Sequence, residues 1–179
     1  MFDHKIVFTG PMGCGKTTAI HTYSEVEPVM TEVKATESEV TAIKENTTVA
    51  MDYGLVTLDE ETRVHLYGTP GQERFDFMWE ILSTGALGLV LMLDNTRPTP
   101  LKDLEFFLDA FKDLLAYAPV VIGVTKMDIQ ASPTIAVYQH YLADKKLNIP
   151  VFEVDGREPN DVKHLVVALL FSIDPGLEV

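Results

Sequence analysis

Residues 6–20 read IVFTGPMGCGKTTAI, an apolar run followed by a glycine-rich segment. Its apolar start predicts a buried strand, and its second half fits the phosphate-loop pattern of Gly, any four residues, Gly, Lys and Ser or Thr. Small residues let backbone N–H groups curl around phosphates, and a helix beginning near Lys16 adds its positive end. We expect Lys16 to reach the outer phosphates and the Thr17 hydroxyl to bind Mg²⁺. The residues of this predicted phosphate site are Gly10, Gly13, Cys14, Gly15, Lys16, Thr17 and Thr18.

Short apolar runs alternate with amphipathic segments along the rest of the 179 residues. The predicted strands cover 4–10, 49–58, 63–68, 88–94, 119–128 and 149–156, and the predicted helices begin near Lys16 and cover 74–83, 100–117, 133–144 and 161–173. Short continuous apolar strands between helices predict an α/β fold with a mostly parallel sheet. We expect six strands, one antiparallel hairpin (49–68), helices on both faces and a single domain spanning 1–179.

Composition and charge narrow the classes of function. The chain has 14 Lys and Arg residues and 27 Asp and Glu residues, which gives a formal charge of −13. This charge argues against binding nucleic acid or an anionic membrane. A single cysteine cannot form an internal disulfide, so a reducing compartment is expected. Residues 1–9 resemble no signal peptide, and the longest apolar run, 86–93, is too short to cross a bilayer. We expect a cytoplasmic protein with no membrane anchor of its own.

The segment Ser24–Thr47 breaks the alternation of strands and helices. It is rich in Glu and Thr and lies between the first predicted helix and the hairpin. A connection of this length inside one domain is usually functional or mobile. A solvated insertion with local turns and an extra short strand is the alternative.

A second motif, Thr125-Lys126-Met127-Asp128, follows an apolar strand. The Asp128 carboxylate can accept two hydrogen bonds from the ring N–H and the exocyclic amine of guanine, whereas adenine offers no matching pair of donors. The Lys126 stem could cover the base plane. Asp155, Gly156 and Arg157 follow the last predicted strand and would complete a base pocket. Ordinary turns at the strand ends are the alternative for both segments.

The order of these motifs resembles that of the Ras superfamily of small GTPases over essentially the whole chain. The stretches TTVAMDYG (47–54) and YGTPGQERFDF (67–77) are similar to the bacterial Ras-like branch, which includes the gliding-motility polarity GTPase and roadblock-associated GTPases. The resemblance implies a G domain that binds GTP or GDP with Mg²⁺ and hydrolyses GTP. It also implies an effector and a regulator, with a roadblock-type protein the first candidate, both contacting switch regions 24–48 and 68–82.

The resemblance assigns three further site residues. Thr48 would close on Mg²⁺ and the γ-phosphate, and the Gly71 N–H would touch that phosphate. Gln72 would orient the attacking water and, with Lys16 and Thr48, completes the implied catalytic set. Thr47 is adjacent to Thr48 and remains an alternative ligand.

Three residues depart from the Ras pattern. Gly68 stands where Ras-like proteins usually have an aspartate that holds Mg²⁺ through water, so we expect a weaker Mg²⁺ dependence of GDP binding. Thr125 replaces the usual asparagine, which predicts lower affinity for the base. Pro70 fixes its own φ and removes one N–H donor before Gly71.

Arginine supply sets the expected rate of hydrolysis. An arginine finger accelerates phosphoryl transfer by roughly 10³–10⁵, and the chain has no arginine between Lys16 and Arg63. Arg74 is the nearby candidate, with a helix-surface charge as its alternative role. We expect slow turnover that a partner stimulates. The other interpretations are a guanine-nucleotide-binding interaction module with little hydrolysis, for which Gly68 would be the lesion, and a P-loop kinase or ATPase.

Two smaller features carry hypotheses. On a helix, Phe75, Met78 and Trp79 share one face and Phe77 and Ile81 share another, so both sets cannot be fully buried. Part of this surface is therefore either a nucleotide-gated partner site or plain packing. In the phosphate loop, the Cys14 thiol is either a redox switch or a tolerated small side chain.

Overall fold

A mostly parallel sheet forms the centre of the fold. The computed structural model describes residues 2–27, 31–33, 49–58, 60–71 and 76–173. Its strands are β1 (Phe2–Thr9), β2 (Thr31–Val33), β3 (Val49–Thr57), β4 (Thr62–Gly68), β5 (Gly88–Asp94), β6 (Val120–Thr125) and β7 (Val151–Glu153). Its helices are α1 (Lys16–Tyr23), α2 (Asp76–Ser83), α3 (Pro100–Ala110), α4 (Lys112–Leu115), α5 (Ile135–Asp144) and α6 (Pro159–Ile173).

The sheet order is β2-β3-β4-β1-β5-β6-β7. β4, β1, β5, β6 and β7 run parallel to one another, whereas β3 is antiparallel to β4 and forms the predicted hairpin with it. The prediction of an α/β fold with a mostly parallel sheet and one hairpin is confirmed. The six expected strands are present, and the three-residue β2 is a seventh that pairs with β3 at the edge of the sheet. It comes from the long segment 24–47, in agreement with the alternative of a short extra strand there.

Strand alternation divides the core between the two faces of the sheet. Ile6 and Phe8 pack with α1 and α6 on one face, whereas Val7 packs with α2, α3 and α5 on the other. Every residue of β5 and β6 is buried, as expected for central strands covered by helices on both sides.

The predicted helix over 100–117 is two helices. Phe111 has φ −103° and ψ 16°, so α3 ends before it and the short α4 follows. The Phe111 ring stacks on the Trp79 indole with 5.6 Å between ring centroids. The break between the two helices thus lies at a buried aromatic residue that packs against α2.

The carboxyl ends of the parallel strands meet at one edge of the sheet. The loops that follow β1, β5, β6 and β7 all leave from this edge, which is where open α/β sheets bind their ligands. Within the described residues, no helix has the length and apolar character needed to cross a bilayer.

Candidate functional site

The loop after β1 has the backbone geometry of a phosphate cradle. Gly10 and Gly15 have φ values of 142° and 98°, which side chains rarely adopt. A Cβ atom on Gly10 would lie 2.0 Å from the backbone oxygen of Met92 on β5. Gly15 directly precedes α1, so the loop feeds into the N-terminus of that helix.

The Lys16 side chain is folded into this loop. It is 7% exposed, and its Nζ donates hydrogen bonds to the backbone oxygens of Gly10 at 2.8 Å and Pro11 at 2.9 Å. Gly71 comes close from the loop after β4, since a Cβ atom on it would lie 3.0 Å from Lys16 Nζ. The structure thus brings Gly71 and the phosphate loop together, as a γ-phosphate sensor requires.

Asp52 on β3 contacts Thr17 of the phosphate loop, and no motif in the sequence predicts this contact. The Thr17 hydroxyl donates a 2.6 Å hydrogen bond to Asp52 Oδ2. In the hairpin, Asp52 lies directly opposite Gly68. A Cβ atom on Gly68 would lie 2.9 Å from the Asp52 Cβ and 3.0 Å from its Oδ2. A carboxylate therefore lies beside Thr17, but it comes from Asp52 on β3 and not from position 68 on β4. The absence of a side chain at Gly68 leaves the space that Asp52 occupies.

The Thr17 and Asp52 oxygens suit Mg²⁺, which prefers hard oxygen ligands and usually keeps phosphate and water ligands as well. Among the described residues, no group of three or more His, Cys, Asp or Glu side chains could hold a metal ion alone. The fit is thus to an ion shared with a phosphate ligand. The expected ligand Thr48 and its alternative Thr47 lie outside the described residues.

The second motif is bonded to the phosphate loop. The buried Thr125 hydroxyl lies 3.0 Å from the Cys14 backbone oxygen and 3.1 Å from that of Leu93. The Lys126 Nζ donates to the Gly13 backbone oxygen at 2.9 Å. The Thr125 hydroxyl thus contacts the phosphate loop from the position where the Ras pattern has an asparagine. Asp128, three residues later, is exposed to solvent.

The segment after β7 lies beside the same loop, although its charged groups bind each other. A Cβ atom on Gly156 would lie 3.3 Å from the Gly15 backbone oxygen. Hydrogen bonds from the side chain and backbone of Arg157 lower the pKa of Asp155 to about 2. The structure brings Gly156 to the start of α1 and pairs Arg157 with Asp155.

The Cys14 thiol is enclosed. It has no exposed surface, and burial raises its pKa above the ordinary value even though Lys16 lies beside it. A redox sensor needs an accessible thiolate, so the structure favours the alternative of a small packed side chain.

Helix α2 is amphipathic. Met78 and Trp79 are buried, at 6% and 4% exposed, whereas Ile81 is 57% exposed, so one face packs and the other is available. The Trp79 Nε1 donates a 3.0 Å hydrogen bond to the backbone oxygen of Pro70. This bond connects the core of α2 to the residue before Gly71.

Several predicted residues lie outside the described part of the chain. They are Thr47, Thr48, Gln72, Arg74 and Phe75, together with the side chain of Phe77.

The fold and the site together define a P-loop nucleotide-binding protein. A family model described as "Conserved hypothetical ATP binding protein" matches residues 8–169. The chain belongs to this family.

Relatives agree with this class. The chain is 28% identical to "Ras-related protein Rab-7b" of Mus musculus over 89% of this chain and 76% of that protein. It is 30% identical to "Ras-related protein Rab-7b" of Bos taurus over 89% and 76% of the two chains. It is also 29% identical to "Uncharacterized protein MJ1339" of Methanocaldococcus jannaschii over 75% and 77%. The chain is a Ras-like P-loop protein.

Proposed function

We propose that this protein is a molecular switch that binds GTP and GDP with Mg²⁺, in a single G domain spanning residues 1–179. The observation that carries the proposal is the bonding of the Thr125-Lys126-Met127-Asp128 motif to the phosphate loop through the backbone oxygens of Cys14 and Gly13. A nucleotide with its phosphates in that loop would have its base next to Asp128.

Asp128 favours guanine over adenine. A carboxylate accepts hydrogen bonds and donates none when ionised, so it suits the N1–H and exocyclic amine of guanine. The adenine edge that would face it carries an acceptor nitrogen, which repels the carboxylate. The family description names ATP, and the chemistry of this residue is the reason for proposing GTP and GDP instead.

The proposed magnesium site uses the hydroxyl of Thr17 and the expected ligand Thr48, and Asp52 supports the site through its hydrogen bond to Thr17. Bound Mg²⁺ would neutralise charge on the β- and γ-phosphates. Asp52 supplies the anion that Gly68 lacks, which argues against a weakened Mg²⁺ dependence. It also removes the ground for treating Gly68 as a lesion that abolishes hydrolysis.

The described arginines are all engaged elsewhere, which supports slow turnover. Arg63 binds Asp3 on the sheet, Arg97 binds Asp103, and Arg157 binds Asp155. Each of these three arginines pairs with a carboxylate that lies outside the phosphate loop. We therefore propose that Gln72 orients water and that a partner supplies the missing cation in trans.

We propose that switch regions 24–48 and 68–82 contact this partner and an effector. The hydrogen bond between Trp79 and Pro70 supports the second region, since it would carry a movement of Gly71 into α2. A roadblock-type protein, taken from the resemblance to the bacterial Ras-like branch, is the first candidate regulator.

The test is to identify the nucleotide that co-purifies with the protein, by chromatography after denaturation. GDP or GTP is the expected result, and an adenine nucleotide would contradict the proposal. Single-turnover hydrolysis, with Gln72→Leu as the control, then separates a switch from a binding module. A wild-type rate equal to that of Gln72→Leu would favour the module.

A further inference from the structure

Asp94, the last residue of β5, is a buried carboxylate next to the proposed base pocket. It is 5% exposed. Its Oδ1 accepts hydrogen bonds from the Thr96 backbone N–H at 2.9 Å and the Thr96 hydroxyl at 2.6 Å. Its Oδ2 accepts one from Lys126 Nζ at 2.5 Å. Burial would raise the pKa of Asp94, but the bonds from Lys126 and Thr96 outweigh it and lower the pKa, so the group is a carboxylate at neutral pH.

Lys126 is held in an unfavourable backbone conformation. Its φ of 61° lies in the left-handed region, which costs free energy for a residue with a side chain. Such outliers persist where surrounding contacts determine them, and they cluster at ligand sites. Here the contacts are the Asp94 carboxylate and the Gly13 backbone oxygen, both bound by the same ammonium group.

A separate set of bonds holds the rest of the loop. The buried Asn95 Nδ2 donates to the backbone oxygens of Gln130 at 2.5 Å and Pro133 at 3.1 Å. The Tyr138 hydroxyl donates to Asn95 Oδ1 at 2.7 Å. Asp94 takes no part in these bonds, so removing its charge leaves the loop with its own support.

We propose that Asp94 is a positioning residue of the base pocket. Its carboxylate holds the Lys126 ammonium against the phosphate loop, which fixes the Lys126 stem under the base and aims Asp128 at the guanine edge. The inference rests on the proposed guanine-nucleotide function and adds to it the residue that sets how long the nucleotide stays bound.

The experiment measures the release rate of a fluorescent GDP analogue from the full chain in saturating Mg²⁺. Asp94→Asn keeps an oxygen for Thr96 but turns an amide toward the ammonium, so we expect release about tenfold faster or more, as for loss of a charged hydrogen bond. Asp94→Glu keeps the charge and should release more slowly than Asp94→Asn. The control Asp103→Asn removes a carboxylate paired with Arg97 and should release at the wild-type rate.

A double-variant cycle tests whether Asp94 acts through Lys126. Lys126→Met should also release faster, and adding Asp94→Asn to it should change the rate by less than about twofold. Independent multiplication of the two effects would overturn the proposal, and so would an unchanged rate for Asp94→Asn. If Asp94→Asn does not fold, an unchanged rate in Lys126→Met is enough to overturn it. Failure of the wild type to bind GDP would instead refute the proposed function.

A selectivity readout excludes a merely structural effect. The inosine diphosphate base lacks the exocyclic amine of guanine, so the ratio of GDP to inosine diphosphate affinity reports how well Asp128 is aimed. We expect this ratio to fall in Asp94→Asn and to hold in Asp103→Asn. General loosening would weaken both nucleotides equally, and an unchanged ratio would overturn the positioning role.

Discussion

Replacing Asp52 by asparagine should weaken Mg²⁺ binding while leaving the hairpin intact. The change removes one negative charge and keeps an oxygen that can accept the Thr17 hydrogen bond. That bond is 2.6 Å long, and Asp52 is half-buried. A hydrogen bond to a charged group contributes about 1.5–3 kcal/mol and one between neutral groups about 0.5–1.5 kcal/mol, so losing the charge costs about 1–1.5 kcal/mol, or about tenfold in affinity. We therefore expect Mg²⁺ affinity to fall about tenfold, the lower end of the tenfold to hundredfold range found when outer-shell partners of metal ligands are removed.

The assay is the release of fluorescent GDP at a series of free Mg²⁺ concentrations. The Mg²⁺ concentration that gives half of the maximal slowing of GDP release should rise in Asp52→Asn by the same factor as the Mg²⁺ affinity falls. Asp3→Asn is the matched control, because Asp3 is a strand carboxylate that binds Arg63 and lies at the start of β1, whereas the phosphate loop follows the end of β1. Identical Mg²⁺ curves for the wild type and Asp52→Asn would refute the assignment of Asp52 to the metal site.

Three further predictions concern the same region. Gly68→Asp should lower the thermal unfolding midpoint, because its Cβ atom would lie 2.9 Å from the Cβ atom of Asp52. The double variant Gly68→Asp with Asp52→Gly should bind Mg²⁺ more tightly than Asp52→Gly alone, and equal affinities would show that the two positions cannot share the carboxylate's role. Trp79 is the single tryptophan and binds Pro70, so its emission should differ between GDP and a non-hydrolysable GTP analogue, whereas superimposable spectra would exclude coupling through α2. Because burial raises the pKa of the Cys14 thiol, iodoacetamide at pH 8 should modify the denatured protein but not the native one, and rapid native modification would show the thiol to be accessible.

Local patterns in the sequence were enough to predict most of the fold. The phosphate loop depends on neighbouring residues, because Gly10, Gly15 and Lys16 are fixed by the turn between β1 and α1. The buried strands β5 and β6 are continuous apolar runs that need no long-range information. The break at Phe111 was not predictable from local sequence, because no Gly or Pro marks it and the Phe111 ring contacts Trp79, a residue distant in the chain.

The carboxylate of Asp52 was missed for a different reason. It meets Thr17 only because the antiparallel register sets Asp52 opposite Gly68. The sequence held a usable signal, an aspartate within the otherwise apolar run VAMDYG. Using this signal would have required both the register of the hairpin and the position of α1 beside β3, and the second depends on contacts between residues distant in the chain. The contact of Asp94 was also not predictable from local sequence, because its partner Lys126 lies in the loop after the neighbouring strand β6.

The measurement that isolates the choice of base is competition between GDP and ADP in Mg²⁺ buffer, for the wild type and for Asp128→Ala, because these two nucleotides differ only in the base. Two hydrogen bonds to a carboxylate should make wild-type binding of GDP at least about a hundredfold tighter than that of ADP. Asp128→Ala should abolish most of that preference. ADP binding as tightly as GDP to the wild type, or a GDP affinity that Asp128→Ala leaves unchanged, would show that Asp128 does not select the base.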